Sequence, residues 1–360
     1  MASPFMRVGL VIYGSLETVS GGYLYDRRLV DYLKQQGDQV DVISLPWRSY
    51  AGHLMDNFSA DLRRRLEGDF DVILQDELNH PSLAWLNSRL RHRAPLVSIV
   101  HHLRSSEARP DWQNKFYRAV ERQYLASLDA FIFNSQTTRR AVEDLIDQET
   151  THVVAYPGGD RFGKTITPEA VARRARTKPL RILFVGNLIP RKGLHTLLAA
   201  LARLTGVDWR LAIVGSMRVD PKYARYIYGL LNRADMDKRV SWRGSLADAE
   251  LAKEMEASHV LVVPSTYEGF GIVYLEGMSF GLPAVGTTAG AADEIITNGE
   301  DGFLIPPEDV IALVEYLSSL ATDRDRLERM GKAALNRFKR HPSWEQTGAD
   351  IRQFLVSLKV

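Results

Sequence analysis

The chain has 360 residues, of which 45% are hydrophobic and 25% are charged, so it is globular and larger than one hydrophobic core usually supports. Its 46 basic and 44 acidic residues nearly cancel, which argues against a nucleic-acid partner, and the lack of cysteine excludes disulfides and thiolate sites. No apolar run is long enough to span a bilayer and no signal-peptide pattern is visible, so we expect a cytoplasmic protein.

Short apolar segments alternate with helical patterns along the chain, and this alternation occurs twice. The predicted strands of the first half are RVGLVIY, QVDVISL, VILQ, LVSIV, AFIFN and HVVAY. Those of the second half are LRILFV, WRLAIV, RVSW, HVLVVP and PAVGT. Such alternation is typical of parallel α/β sheets. The sequence therefore predicts two α/β domains, residues 1–160 and residues 180–342.

A polar, basic segment at residues 161–179 separates the two halves, and we interpret it as an interdomain linker. Two helical patterns follow the second set of strands. A break at HPSW then precedes a final helix, residues 343–360.

Two glycines, Gly21 and Gly22, lie in the loop between the first strand and a helical pattern. They would let backbone amides line a ligand, but a loop hinge with nothing bound explains them equally well. A dinucleotide site is a poorer interpretation, because the segment lacks the G-x-G-x-x-G spacing.

His101 ends the strand LVSIV and is followed by His102. A histidine at such a position is more often a packing residue than a catalytic one. The two side chains cannot readily share one metal ion, because successive strand positions point to opposite faces.

A basic pair, Arg191 and Lys192, follows Gly186 in the loop after the strand LRILFV. Open α/β sheets bind ligands at the carboxyl ends of their strands. Cations placed there would stabilise a diphosphate leaving group as its negative charge develops. The alternative is a solvated surface pair.

The most informative stretch is EGFGIVYLE, from Glu268 to Glu276, directly after an apolar strand. Its glycines let backbone N–H groups approach a ligand, and the helix that follows points its dipole at the same place, which favours phosphate. The natural partners of two carboxylates beside bound phosphate are sugar hydroxyls. Taken alone, Glu276 would be a solvated helix carboxylate.

Residues 264–306 resemble the signature of family-four glycosyltransferases, retaining nucleotide-sugar enzymes that carry two glutamates separated by seven residues. FVGNLIPRKGLHTLLAAL, LAIVGS and VSWRGSL are similar to the family in order and spacing, and SGGY, FIFNSQTTR and YPGGD give a thinner match. The resemblance implies the GT-B fold, an α/β architecture of two Rossmann-like doubly wound parallel-sheet domains facing across a cleft. It also implies that the final helix packs back on the first domain.

The resemblance further implies a role for each candidate residue. His101 and Glu268 would lie at the donor sugar, and Arg191 and Lys192 at the diphosphate, as the catalytic set. Glu276 would bind the nucleotide ribose. The other donor-binding positions implied are Gly21, Gly22, Gly186, Arg243, Phe270, Gly271, Ile272 and Val273.

The implied reaction is of the hexosyltransferase type, class EC 2.4. A sugar would pass with retention from a nucleoside diphosphate sugar, such as a UDP or GDP sugar, to a hydroxyl of a glycan, lipid or small molecule. The donor is a co-substrate, and we expect neither a cofactor nor a metal, because Arg191 and Lys192 can neutralise the diphosphate. The alternatives are a GT-B-fold epimerase or phosphorylase, or a non-catalytic sugar-nucleotide-binding subunit.

Basic stretches at residues 62–66 and 87–93, with aromatic residues in LPWRSY at 45–50, suggest a positive face in the first domain. Such a face would allow peripheral contact with the inner face of an anionic membrane. Neighbouring acids favour an ordinary solvated surface, so membrane contact stays an alternative.

Overall fold

The structure is a computed structural model that describes residues 5–91, 94–107, 109–233 and 236–359. The chain divides into two compact units, Met1–Gly158 with Pro342–Val360, and Gly159–His341. Among the described residues, each unit holds one six-stranded parallel sheet with helices around it. The predicted pair of doubly wound parallel-sheet domains is confirmed.

The first unit has the strand order β2-β1-β3-β4-β5-β6. Its strands are β1 (Arg7–Tyr13), β2 (Gln39–Leu45), β3 (Val72–Asp76), β4 (Leu96–Val100), β5 (Ala130–Phe133) and β6 (His152–Val154). Its first six helices are α1 (Gly21–Gln35), α2 (Tyr50–Met55), α3 (Ala60–Leu66), α4 (His80–Leu83), α5 (Asp111–Leu125) and α6 (Gln136–Ile146). Strands β3 and β4 are buried along their whole length, because helices cover both faces of the sheet.

The second unit has the strand order β12-β11-β10-β7-β8-β9, which reverses between β10 and β7. Its strands are β7 (Leu180–Val185), β8 (Trp209–Val214), β9 (Val240–Gly244), β10 (Val260–Val262), β11 (Ala284–Thr287) and β12 (Gly302–Ile305). Its helices are α7 (Pro168–Ala175), α8 (Leu194–Arg203), α9 (Pro221–Arg233), α10 (Asp248–Ala257), α11 (Ile272–Ser279), α12 (Val310–Thr322) and α13 (Arg324–Lys339).

The segment 161–179, which the sequence predicts to be a linker, is instead part of the second unit. Helix α7 within it buries Val171 and Arg174. The Arg174 guanidinium donates to the backbone carbonyls of Phe280 and Gly281, both at 2.8 Å, just past the end of α11. A buried basic residue thus donates to carbonyls that the end of a helix leaves unpaired. A search of the sequence for an apolar stripe does not detect such a residue.

The last helix, α14 (Trp344–Ser357), belongs to the first unit. Gly348 lies against Tyr32 of α1 so closely that an added Cβ would stand 2.4 Å from the ring. Arg352 donates to both carboxylate oxygens of buried Asp38, at 2.7 and 3.0 Å. These contacts fix α14 against α1 and against the turn that precedes β2. No helix of the described residues is long and apolar enough to cross a membrane.

Candidate functional site

The second unit brings four of its predicted residues together where its strand order reverses. The loop after β7 carries Gly186, Arg191 and Lys192, and the loop after β10 carries Glu268. Because β7 and β10 are parallel neighbours, both loops leave the sheet at the same edge. Doubly wound sheets bind their ligands at this reversal point.

Backbone contacts that only glycine permits hold these loops together. Gly193 has φ +70°, and an added Cβ would lie 2.0 Å from the carbonyl oxygen of Pro264. At Gly290, φ +88°, an added Cβ would lie 2.0 Å from the carbonyl oxygen of Glu268. The backbone positions of both site loops are therefore set by close packing, and neither glycine was among the candidates from the sequence.

Glu268 is a buried carboxylate surrounded by donors, with 7% of its surface exposed. Its Oε1 accepts from the Ser265 hydroxyl at 2.7 Å and from the Lys192 ammonium, and the Arg191 guanidinium lies 3.8 Å away. Burial acts to raise the pKa of Glu268, but the charges of Lys192 and Arg191 outweigh it and lower the pKa to about 2. One ionised carboxylate thus faces two cations.

Both cations of this group are ordered by the protein. The Arg191 side chain donates to the carbonyl of Tyr267 at 2.8 Å. The stem of Lys192 runs over Gly186, where an added Cβ would lie 3.4 Å from two of its carbons. Burial lowers the pKa of Lys192, against the opposing attraction of Glu268. The pair is packed, with exposed side-chain fractions of 25% and 17%, which does not fit a solvated surface pair.

Helix α11 starts directly beside this group. Gly271 precedes it in the left-handed region, at φ +96°, so the chain turns sharply and Ile272 opens the helix. The first N–H groups of a helix have no intrahelical acceptor, so this end suits an anion. Phe270 is buried with its ring 5.9 Å from His341, and Val273 lies in the first turn. Anion binding by the backbone at the start of α11 stays a prediction.

Glu276 lies within α11 and is buried, with 3% of its surface exposed. Its Oε1 accepts from the guanidinium of Arg161 at 3.2 Å, and Arg161 also donates to Asp248 of α10 at 3.2 Å. The predicted ribose-binding carboxylate is therefore held by a charge-assisted hydrogen bond. Sequence reasoning missed Arg161 because it lies in the segment interpreted as a linker.

Arg243 lies apart from these groups, on the edge strand β9. Its side chain is about half exposed and forms an ion pair with Glu254 of α10 at 2.8 Å. A donor-binding role for Arg243 stays a prediction.

The first unit places Gly22 and His101 in contact. Helix α1 begins at Gly21, after the Ser20 hydroxyl accepts from the backbone N–H of Tyr23. An added Cβ at Gly22 would lie 3.0 Å from Cδ2 of His101. The glycine therefore makes room for an imidazole that follows β4.

His101 is paired with two acids that the sequence analysis did not select. Its Nε2 lies 3.3 Å from Oδ1 of Asp26, and the ring, Asp26 and Asp76 have polar atoms within 4.8 Å of one another. Burial alone would lower the pKa of His101, but Asp26 and then Asp76 and Glu77 raise it to about 9. Asp76 is the last residue of the buried strand β3, at the same sheet edge, and that position was the available signal.

His102 has a different partner, Glu107, whose Oε1 lies 3.0 Å from its Nε2. The two adjacent histidines, which lie just beyond the end of β4, thus point into separate environments.

A second buried group in the first unit contains Glu77, His80 and Glu121. Neither ring nitrogen of His80 is left for a cation, because Nδ1 lies 3.0 Å from the Glu77 carbonyl and Nε2 lies 3.0 Å from the Tyr50 hydroxyl. Burial raises the pKa of Glu77 to about 7 and lowers that of His80 to about 4. Glu121 accepts from the backbone N–H of Arg104 at 2.6 Å, so the group anchors the loop after β4.

A cavity of about 370 Å³ in the second unit is lined mainly by apolar side chains of α8 and α9 and includes none of the predicted residues. The candidate site is therefore defined by the converging loops and not by this cavity.

Two family models match the chain. The model described as "Glycosyl transferase 4-like domain" matches residues 19–159, and "Glycosyl transferases group 1" matches residues 167–337. The chain is 29% identical over 300 residues to D-inositol 3-phosphate glycosyltransferase of Stackebrandtia nassauensis. The alignment covers 79% of this chain and 67% of that relative.

Solved structures resemble the whole chain. Sucrose-phosphate synthase from Thermosynechococcus elongatus superposes with a TM-score of 0.82 at 22% identity, covering 96% of this chain and 97% of that one. HepE of Anabaena, solved in complex with UDP and glucose, superposes with a TM-score of 0.78 at 20% identity over 98% of this chain and all of that one. At these identities the likeness establishes the fold.

Proposed function

The chain belongs to the family-four type of glycosyltransferases and has their GT-B fold, and from that premise we propose that it is a retaining, metal-independent hexosyltransferase. The donor is a nucleoside diphosphate sugar held by the second unit. The acceptor is a hydroxyl of a glycan, lipid or small molecule.

The observation that carries the proposal is the group formed by Glu268, Arg191 and Lys192 at the reversal point of the second sheet. Two cations and one carboxylate leave one net positive charge in a largely buried setting. Such a charge attracts the diphosphate and stabilises it further as the glycosidic bond breaks. Because protein contacts already order both cations, little reorganisation is needed during the reaction.

The ionised Glu268 accepts hydrogen bonds from hydroxyls of the donor sugar in this proposal. A carboxylate whose charge is shared between two cations is a weak nucleophile, so a covalent glycosyl-enzyme is the less favoured route. The acceptor oxygen instead attacks the anomeric carbon on the face that the phosphate leaves. The bond to phosphate breaks as the new glycosidic bond forms, and the acceptor proton passes to the departing phosphate oxygen.

Glu276 binds the ribose hydroxyls. Arg161 donates a hydrogen bond to this buried carboxylate and limits its rotation, so it is oriented before the nucleotide arrives. The backbone N–H groups at the start of α11 bind the diphosphate.

A thermal-shift panel of UDP, GDP and ADP and their sugars tests the proposal, with UDP first because HepE was solved with it. A ligand at 100 times its dissociation constant stabilises a protein by about 2.7 kcal/mol. We expect one nucleotide to raise the melting temperature and its sugar to be turned over. If no member of the panel stabilises the protein, the donor assignment is wrong.

Peripheral membrane contact stays an alternative. Within residues 62–66, Arg63 pairs with Glu67 and Arg64 with Asp61, as on a solvated helix. Of the stretch 87–93, residues 92 and 93 lie outside the described residues. Sedimentation with anionic vesicles at low and physiological salt decides the matter, and no binding in either condition removes this alternative.

A further inference from the structure

We propose that Asp26 and Asp76 are positioning residues for His101. They hold its ring in one orientation, and they balance the charge of an imidazolium that contacts the bound sugar. The inference rests on the proposed function only in placing His101 at that sugar. The pairing itself is a property of the first unit.

Three separate elements bring these side chains together. Asp26 projects from α1, Asp76 ends β3, and His101 follows β4. The Nε2 to Oδ1 distance from His101 to Asp26 is 3.3 Å. Both aspartates are fully buried, whereas the His101 side chain is 12% exposed. Of the three groups, only the imidazole can touch a ligand, so the acids act through it.

Packing leaves the ring little freedom. The rings of Tyr25 and His101 pack edge to face at a centroid distance of 5.3 Å, and Gly22 leaves only enough space for the His101 ring. On the backbone side, Asn134 donates to the His101 carbonyl at 2.9 Å. A ring fixed in this way keeps Nε2 directed at Asp26.

Charge balance supports the same assignment. Buried charges are expensive unless they are paired, and Oδ2 of each aspartate has no hydrogen-bond partner within the part of the chain that the structure describes. A neutral ring would leave the negative charge of Asp26 unpaired in the interior. Burial and the charge of Asp26 raise the pKa of Asp76 well above its ordinary value, which favours the protonated form of this acid. Imidazolium, carboxylate and carboxylic acid then form a neutral set.

Other ionisable groups also face this set. Glu77 adds a negative potential at His101, and the Tyr23 and Tyr25 hydroxyls feel the charge of Asp26. Burial raises the pKa of both tyrosines far above neutral, so neither competes for charge near pH 7. His102 is paired separately with Glu107.

The chemical consequence concerns the second ring nitrogen. A neutral imidazole that donates from Nε2 has only an acceptor at Nδ1, whereas an imidazolium donates from both nitrogens. Asp26 and Asp76 therefore make Nδ1 a cationic donor, suited to a sugar hydroxyl oxygen or a phosphate oxygen.

Two-bond ¹H–¹⁵N NMR on histidine-labelled full chain tests the pairing, with the His101 signal assigned through His101→Gln. We expect doubly protonated His101 at about pH 8, where an ordinary histidine is neutral. Asp26→Asn should lower its apparent pKa by at least about one unit, a tenfold change in the protonation constant, and Asp76→Asn by less. Asp38→Asn removes another buried carboxylate of the same unit and should leave His101 unchanged.

In Asp26→Asn, the alkaline limb of the pH profile of kcat/KM should shift by as much as the pKa of His101 measured by NMR. Asp26→Glu should restore the positive charge of His101 even where it misplaces the ring. A neutral wild-type His101 at about pH 7, or unchanged protonation in both Asn variants, overturns the proposal. Broadening of the His101 signal by micromolar Mn²⁺ also overturns it, by assigning the three side chains to a cation. If the NMR results hold but no nucleotide sugar binds, the proposed function fails and the pairing stands.

Discussion

The two units carry opposite charge arrangements at equivalent places. In the second unit a buried carboxylate, Glu268, stands between the cations Arg191 and Lys192. In the first unit an imidazole, His101, stands beside the buried acids Asp26 and Asp76. Both groups lie at the carboxyl edge of a parallel sheet, so this edge fixes where the charged side chains meet, while the local residues fix the sign of the central charge.

The difference also separates what each group can bind. The second unit's cations remain partly exposed and outnumber their carboxylate, so they suit a diphosphate. In the first unit the acids are sealed and only His101 reaches the surface, so that group offers one charged donor. The contribution of each group to stability should therefore depend on pH in opposite directions in the two units.

The largest effect is expected from Lys192→Met, because it leaves Glu268 buried without its nearest cation. Breaking a buried pair costs about 3–5 kcal/mol, and the lower end applies because Lys192 keeps some exposure. Transition-state stabilisation should fall by about 2–4 kcal/mol, mostly in kcat. Urea unfolding and steady-state kinetics measure the two losses.

Arg176→Met is the matched control, since Arg176 pairs with Asp325 and Glu328 on an exposed surface. Lys192→Met with Glu268→Gln should regain stability but not turnover. Wild-type turnover in Lys192→Met would make the lysine a structural cation only.

The pH dependence of stability should differ between the two groups. The pKa of Glu268 is depressed from 4.5 to about 2, so its contribution is complete above pH 4.5 and disappears as the pH falls toward 2. The pKa of His101 is raised from 6.5 to about 9, so its contribution is complete below pH 6.5 and disappears as the pH rises toward 9. The midpoint of urea unfolding, measured across pH, should fall less steeply at acid pH in Glu268→Gln than in the wild type. It should fall less steeply at alkaline pH in Asp26→Asn. The reverse pattern would refute both assignments.

Nucleotide binding should depend on Glu276 more than on its partner. Glu276→Ala removes hydrogen bonds of a charged acceptor, worth about 1.5–3 kcal/mol, and calorimetry with the nucleoside diphosphate should show at least about a tenfold loss of affinity. Arg161→Ala should cost less, because the carboxylate stays but loses its orientation. Unchanged affinity in Glu276→Ala would remove its ribose role.

The smallest effect is expected from chelation. Because Arg191 and Lys192 can neutralise the diphosphate, sugar transfer should proceed undiminished in excess EDTA. Loss of activity that a divalent ion restores would show that these two cations are insufficient.

The sequence allowed the fold to be predicted because most strands are apolar runs whose pattern is repeated, and the family resemblance inferred from it is confirmed. It does not predict β12, a four-residue strand that opens with Gly302, where an added Cβ would lie 2.1 Å from the Ala284 carbonyl. Gly302 is required by its close contact with the neighbouring strand. A contact of that kind leaves no pattern in the local sequence.

The site shows the same limit. Loop motifs marked the second unit's cations and Glu268, because each lies in a glycine-containing loop directly after an apolar strand, although Lys192 and Glu268 are 76 residues apart. Asp26 lies 75 residues from His101, and Arg161 lies 115 residues from Glu276, so neither partnership has a sequence spacing to recognise. Long-range pairs of buried charges become visible only when the sheet edge brings them together.

The most direct test of the central claim follows release of nucleoside diphosphate by ³¹P NMR, using the nucleotide sugar that stabilises the protein most, with EDTA and simple glycosides as acceptors. We predict release by the wild type and by Arg176→Met at equal rates, and release at least about 30-fold slower by Lys192→Met, which corresponds to about 2 kcal/mol. No release above the buffer rate from any donor, or equal rates for Lys192→Met and the wild type, would contradict the account.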